Sequence, residues 1–155
     1  MRSKFITSEG YRQLKAEFDY LWKTKRPEIT KKVAWAASLG DRSENADYQY
    51  NKRLLREIDR RIRYLQKRLP ELNVVHYSSE QEGRVFFGAS IEIENDAGET
   101  KHFKIVGYDE IFEQTDVISV DSPMAKALLS KEVDDEVNVQ MPNGKMTWYI
   151  LNIKY

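Results

Sequence analysis

Between residues 55 and 72 one spacing rule governs the chain. Leu55, Ile58, Ile62, Leu65, Leu69 and Leu72 recur at intervals of 3, 4, 3, 4 and 3. That is the heptad seam of a helix that buries a narrow apolar stripe against a second helix. The partner lies upstream. Tyr11, Leu14, Phe18 and Leu21 recur at 3, 4 and 3, and beyond Pro27 the residues Ile29, Val33 and Ala36 continue in a shifted phase. Proline lacks the N–H that an interior helical position needs, so a kink or phase slip is expected near Pro27. Thr7 or Ser8 can cap the first helix, and Ser38-Leu39-Gly40 breaks it. Asp41 can cap the second helix, with Glu44 three residues on completing a capping box. Pro70 predicts that regular helix ends just before it. So short a break implies an antiparallel hairpin. Roughly 30 helical residues at about 1.5 Å rise make a rod of about 45 Å, with its tip at residues 39–44.

The period then changes. Ile91-Glu92-Ile93-Glu94 alternates, Asn95-Asp96-Ala97-Gly98 turns, and His102-Phe103-Lys104-Ile105 alternates again, which reads as a β-hairpin. His102 is placed facing solvent. Residues 117–120 read as another strand. Ser122-Pro123 opens a short helix through Ala125, Leu128 and Leu129, with Ser as cap and Pro at the first position. Residues 137–141 and 147–153, joined through Pro142-Asn143-Gly144, form a closing hairpin. The fold class is therefore α+β: an antiparallel coiled-coil hairpin over residues 1–77, then a small antiparallel β-sheet domain with one short helix over 78–155.

Charge supports the division. The 25 basic and 25 acidic side chains cancel overall. Yet residues 1–77 carry 18 basic against 10 acidic, net +8, and residues 78–155 carry the opposite, net −8. Two modules with different partners are implied. The chain has no cysteine, which excludes disulfides, thiolate metal sites and a Cys nucleophile. With no apolar signal core and no run of about 20 apolar residues, a cytoplasmic protein without membrane association is expected. No phosphate loop, zinc spacing or Ser/His/Asp arrangement is visible, so the chain lacks the parts of a self-sufficient enzyme.

Two features could carry chemistry. Asp41 and Glu44, at i and i+3, can turn both carboxylates the same way. Capping and favourable interaction with the helix dipole explain such a pair without further function. At the end of a rod, however, it could be delivered into another molecule's cavity. Two carboxylates make a poor Mg²⁺ site alone, because that ion takes six oxygen ligands. Any metal would be shared with a partner. The second feature is the row Arg53, Arg56, Arg60, Arg63 and Lys67, opposite the Leu/Ile seam and flanked by Lys52, Arg61 and Arg68. Residues 52–68 hold eight basic and two acidic side chains. Intrahelical pairs such as Glu57–Arg61 and Asp59–Arg63 would use only part of that charge. A phosphate-bearing partner is the better reading, and Arg suits bidentate phosphate contact. Of the aromatics near the tip, Trp35 and Tyr50 are expected to brace the helix pair. Tyr48 is open between bracing and stacking on a base.

The stretch Ala36-Ala37-Ser38-Leu39-Gly40-Asp41-Arg42-Ser43-Glu44-Asn45-Ala46-Asp47-Tyr48 resembles the Gre transcript-cleavage (elongation) factors of bacterial RNA polymerase. Trp35, Tyr50 and the run Leu-Arg-Glu-Ile-Asp-Arg-Arg-Ile-Arg at 55–63 resemble the B type. The likeness continues through Gly83-Arg84-Val85-Phe86-Phe87-Gly88-Ala89, Val106-Gly107-Tyr108-Asp109-Glu110 and Asp121-Ser122-Pro123-Met124-Ala125, so it covers essentially the whole chain. Pro70 is a minor departure that bears on the junction alone.

The resemblance implies a C-terminal domain of the FK506-binding-protein (FKBP-like) type docked outside the polymerase's secondary channel, with the hairpin inside it. It implies that Asp41 and Glu44 support the second, weakly held Mg²⁺ of the polymerase active centre and orient the attacking water. On this reading that metal is not bound by the free protein, which is an activator of cleavage and not an enzyme. Ser43, Asn45 and Tyr48 would position the tip. Lys52, Arg53, Arg56, Arg60, Arg61 and Arg63 would contact the 3′ end of backtracked RNA. Asp121, Ser122 and Pro123 match the family loop that contacts the channel rim, though they equally suit a helix cap. The free protein is expected to be a monomer. Three rivals remain: a non-cleaving regulator in the same channel, a peptidyl-prolyl isomerase and a coiled-coil adaptor.

Overall fold

The computed structural model describes residues 2–40, 42 and 44–155. The chain forms two units. Tyr11–Leu72 is one; the residues through Gly10, together with Asn73–Tyr155, form the other. The boundary thus differs from the expected division at residue 77. Residues at both ends of the helical segment belong to the globular unit, because strand β1 (Phe5–Thr7) pairs in parallel with β2 (Asn73–Val75). A three-residue strand carries no readable period, so its partner 68 residues away was not legible.

The helical arm begins with α1 (Ser8–Tyr20). Thr7 is its cap: the Gly10 N–H donates to Thr7 Oγ1 at 3.0 Å. The phase slip expected at Pro27 takes the form of a π-helical turn, Leu21–Lys25, which leads into α2 (Arg26–Ala37). The Arg26 N–H reaches back to the Leu21 carbonyl. The wider turn rotates the apolar stripe and leaves Pro27 at the start of a new α-helix, where its missing N–H costs least. Helix α3 (Ala46–Arg68) returns antiparallel and passes into a 3₁₀ turn, Leu69–Glu71, that contains Pro70. Ile29, Ile58 and Ile62 are buried between the helices, with Phe18, Leu21, Val33, Leu54 and Leu55 packed around them. Each such aliphatic side chain stabilises the pair by about 1.5–3 kcal/mol of removed water contact.

The globular unit contains β3 (Ser90–Asn95), β4 (Thr100–Val106), β5 (Val117–Ser119), helix α4 (Pro123–Leu128), β6 (Glu136–Met141) and β7 (Gly144–Lys154). Its sheet runs in the order β5-β4-β3-β7-β6. The sheet is mixed and not wholly antiparallel, because β5 lies parallel to β4. Ile91, Ile93, Phe103, Ile105, Val137, Val139, Trp148 and Ile150 alternate inward and close over Ala125 and Leu128 of α4. His102 faces solvent as expected.

Candidate hairpin tip and nucleic-acid interface

Between α2 and α3 the chain must close two helix ends that carry unpaired carbonyls and amides. Ser38 ends α2, its N–H shared by the Ala34 and Trp35 carbonyls at 3.2 and 3.1 Å. Gly40 takes φ +127°, a conformation that L side chains rarely adopt. The start of α3 corrects the capping role expected of Asp41 with Glu44. The N-cap is Asn45, with extended backbone (φ −90°, ψ 101°) and Oδ1 accepting from the Tyr48 N–H at 3.0 Å. The same side chain reaches across the hairpin, and its Nδ2 donates to the Ala36 carbonyl at 2.6 Å. Asn45 therefore satisfies one orphan group on each helix and locks the two ends together. Gln49 adds a bond from Nε2 to the Arg42 carbonyl at 2.7 Å.

Glu44, released from capping, is exposed in the turn beside this clasp. The expected positions Asp41 and Ser43 lie outside the described residues. Tyr48 is buried at 6% exposure, so it braces the base of the tip. Arg42 and Lys52 lie over its ring at 5.4 and 5.3 Å. The Lys52 ammonium beside the phenol lowers the Tyr48 pKa from its ordinary value; burial opposes the shift and Arg42 reinforces it. Trp35 and Tyr50 reverse the expectation that they brace the hairpin, being 56% and 57% exposed.

Lys52, Arg53, Arg56, Arg60 and Arg63 are exposed along α3, as is Lys67. Among the described residues none of Arg53, Arg56, Arg60, Arg63 and Lys67 forms an ion pair. Arg61 is the exception among the expected RNA contacts. Its Nε and Nη2 bond Glu17 of α1 at 2.7 and 2.9 Å, so it clasps the hairpin. Asp59 likewise pairs across the hairpin, with Arg26 Nε at 2.7 Å, and not along the helix with Arg63. The Arg26 pair draws Asp59 away from the stripe, and a row of solvated cations remains along α3. Arg68 is buried beside Glu71.

In the globular unit, Ser122 caps α4 by accepting from the Ala125 N–H at 3.1 Å, and Pro123 is exposed at the first turn. Asp121 accepts from the Ser3 N–H at 2.7 Å, which ties the N-terminal segment to this loop. Sequence reasoning missed Glu110, a buried carboxylate that accepts from the Thr7 and Gly107 backbone N–H groups at 2.8 Å each and from the Thr7 hydroxyl. The Gly107-x-x-Glu110 spacing was the available signal. A Cβ on Gly107 would lie 2.1 Å from the Phe5 carbonyl oxygen. Also unforeseen is an apolar groove of about 550 Å³ lined by Phe5, Val75, Phe86, Phe87, Val120 and Leu129.

Among the described residues no three His, Cys, Asp or Glu side chains gather as a metal site, and no helix is long and apolar enough to cross a membrane. The family described as "Transcription elongation factor, N-terminal" matches residues 4–74, and "Transcription elongation factor, GreA/GreB, C-term" matches residues 80–155. The chain is similar to transcription elongation factor GreB of Pseudomonas putida, 67% identical over 100% of this chain and 96% of the relative. It is likewise similar to GreB of Vibrio cholerae, at 64% identity over 100% and 97%. Among solved structures it resembles the transcription factor Gfh1 at 23% identity and a TM-score of 0.46, covering 97% of each chain. The assignment rests on the sequence matches and not on that likeness. The chain belongs to the GreA/GreB family of transcription elongation factors.

Proposed function

We propose that this protein enters the secondary channel of RNA polymerase and stimulates the polymerase to hydrolyse backtracked RNA, so that arrested complexes resume. Family membership carries the interaction with RNA polymerase. The observation that most supports the reading is Glu44, exposed at the end of the hairpin directly before a rigid two-helix clasp. A carboxylate freed from capping and adjoining the Asn45 clasp can be placed in a foreign site with less loss of conformational freedom than one on a free chain.

The donor chemistry fits a shared Mg²⁺ site. Hard carboxylate oxygens suit the ion, yet Asp41 and Glu44 fall well short of six ligands. These two side chains would complete a site that the polymerase begins. When bound there, Mg²⁺ stabilises charge on the reacting phosphate and supports ionisation of the attacking water. The carboxylates would orient that water, and Asn45 and Tyr48 would hold the tip in register. Lys52, Arg53, Arg56, Arg60 and Arg63 would neutralise phosphates of the extruded 3′ segment. Pro123, with the Asp121–Ser122 turn, would meet the channel rim. The protein would be an activator with no hydrolytic activity of its own. A transcript-cleavage assay on a backtracked complex tests this, with wild type beside Asp41→Asn and Glu44→Gln. Wild type should release 3′ fragments, and each variant should lose most of that stimulation while still binding polymerase. Full stimulation by both variants would defeat the proposal, as would a wild-type protein that binds and releases nothing.

A further inference from the structure

Trp35 and Tyr50 are large aromatic side chains left more than half exposed near the tip. Neither ring has a hydrogen-bond, ring or cation partner among the described residues. The cross-hairpin ion pairs reveal which way they face. A helix turns about 100° per residue, so nine residues bring a side chain to the opposite side. Trp35 stands nine residues after Arg26, and Tyr50 stands nine before Asp59. Arg26 and Asp59 are bonded to each other across the hairpin. Both side chains of the pair are about a third exposed, so the pair sits at one edge of the hairpin, and both rings turn toward the other edge.

The second ion pair agrees. Tyr50 is eleven residues, about three full turns, from Arg61, whose guanidinium crosses to Glu17. Their heights also correspond. The Asn45–Ala36 bond sets those two residues side by side. Trp35 lies one residue below Ala36 and Tyr50 five below Asn45, an axial offset of about 6 Å at 1.5 Å per residue. Arg53, three residues beyond Tyr50, adjoins it on the helix surface and begins the row of unpaired cations.

We propose that Trp35 and Tyr50 stack on unpaired bases of the single-stranded RNA that follows the arginine stripe. The inference rests on the RNA reading above and adds to it the residues that grip bases. Arginines alone hold phosphates and slide; an aromatic platform beside them is how single-stranded nucleic acid is gripped without sequence preference. The adjoining row of cations favours a polyanion over an apolar protein surface as the occupant of these rings.

The test uses the full-length protein on reconstituted complexes whose extruded RNA carries 2-aminopurine. Trp35→Ala and Tyr50→Ala are compared with Trp35→Phe and Tyr50→Phe, and with the double reversal Arg53→Glu/Arg56→Glu. Stacking predicts that wild type quenches the 2-aminopurine and that each Ala variant cleaves long extruded segments at least about fivefold more slowly. The Phe variants should recover most of the rate, and binding to polymerase without RNA should be unchanged. Slower cleavage with the arginine reversals but wild-type rates with both Ala variants would overturn the stacking and leave the phosphate track standing. No effect from the reversals either would remove the RNA reading itself. Weaker binding of the Ala variants to RNA-free polymerase would show that the rings meet protein, which also overturns the inference.

Discussion

Replacing Asn45 by Ala should unlock the tip from both sides. The substitution removes an N-cap acceptor, a change that typically costs about 1 kcal/mol. It also removes the bond from Nδ2 to the Ala36 carbonyl, worth about another 1 kcal/mol. Both bonds are well formed, at 3.0 and 2.6 Å. The combined local loss of about 2 kcal/mol corresponds to about 30-fold in the opening equilibrium. The Tyr48 amide is the proton that Asn45 caps, so its hydrogen exchange reports the change directly. It should accelerate about 30-fold in Asn45→Ala, while amides in the middle of α3 are little affected. Asn45→Asp separates the two bonds: it retains an acceptor for Tyr48 but places a carboxylate against the Ala36 carbonyl. It should protect the Tyr48 amide better than Ala does and still loosen the end of α2. Stimulated cleavage should fall in both variants with polymerase affinity preserved. Unchanged Tyr48 exchange in Asn45→Ala, or wild-type behaviour of Asn45→Asp by every measure, would refute the clasp.

Other substitutions probe separate parts. Ile62→Ala opens a cavity in the hairpin seam and should destabilise it by about 2–4 kcal/mol, read from denaturant unfolding followed by helical circular dichroism. Arg61→Ala should cost the arm only about 0.5–1 kcal/mol, since its pair with Glu17 is partly solvated, and should leave RNA-dependent behaviour nearly intact. The triple reversal of Arg53, Arg56 and Arg60 to Glu should shift cleavage products toward shorter fragments and flatten the salt dependence, as resolved on sequencing gels. Gly107→Ala drives a methyl into the Phe5 carbonyl and should lower the melting temperature of the globular unit, with a cost of about 1–3 kcal/mol.

Much of this arrangement was legible because it is periodic. The heptad seam located both helices and the site of the break. Pro27 announced a phase slip, although not that it would be a π turn. Pairings between distant short segments were invisible: β1 with β2, the parallel placement of β5, and Glu110 closing onto Thr7. Three-residue strands and single buried acids leave no repeat. The cap was misassigned because Asp41-x-x-Glu44 fits a capping box as well as Asn45 fits its own role. Only the reach of Asn45 to the Ala36 carbonyl, a contact between helices, decides between them. Arg61 was grouped with the stripe because charge and spacing alone cannot show that a guanidinium faces Glu17. Trp35 and Tyr50 were misplaced for a related reason: they face away from the Arg26–Asp59 pair, and it is Tyr48, open between two roles in the sequence, that is covered beneath Arg42 and Lys52 at the base of the tip.

In the proposed function Asp41 and Glu44 supply ligands to a metal site that the polymerase fills poorly alone. The Mg²⁺ dependence of cleavage in a backtracked complex tests it most directly. With wild-type protein, half-maximal cleavage should occur at a much lower Mg²⁺ concentration than with polymerase alone. Asp41→Asn and Glu44→Gln should each move that midpoint back toward the polymerase value, with high Mg²⁺ partly restoring the rate. A midpoint identical in wild type and both variants would mean that neither carboxylate serves the metal.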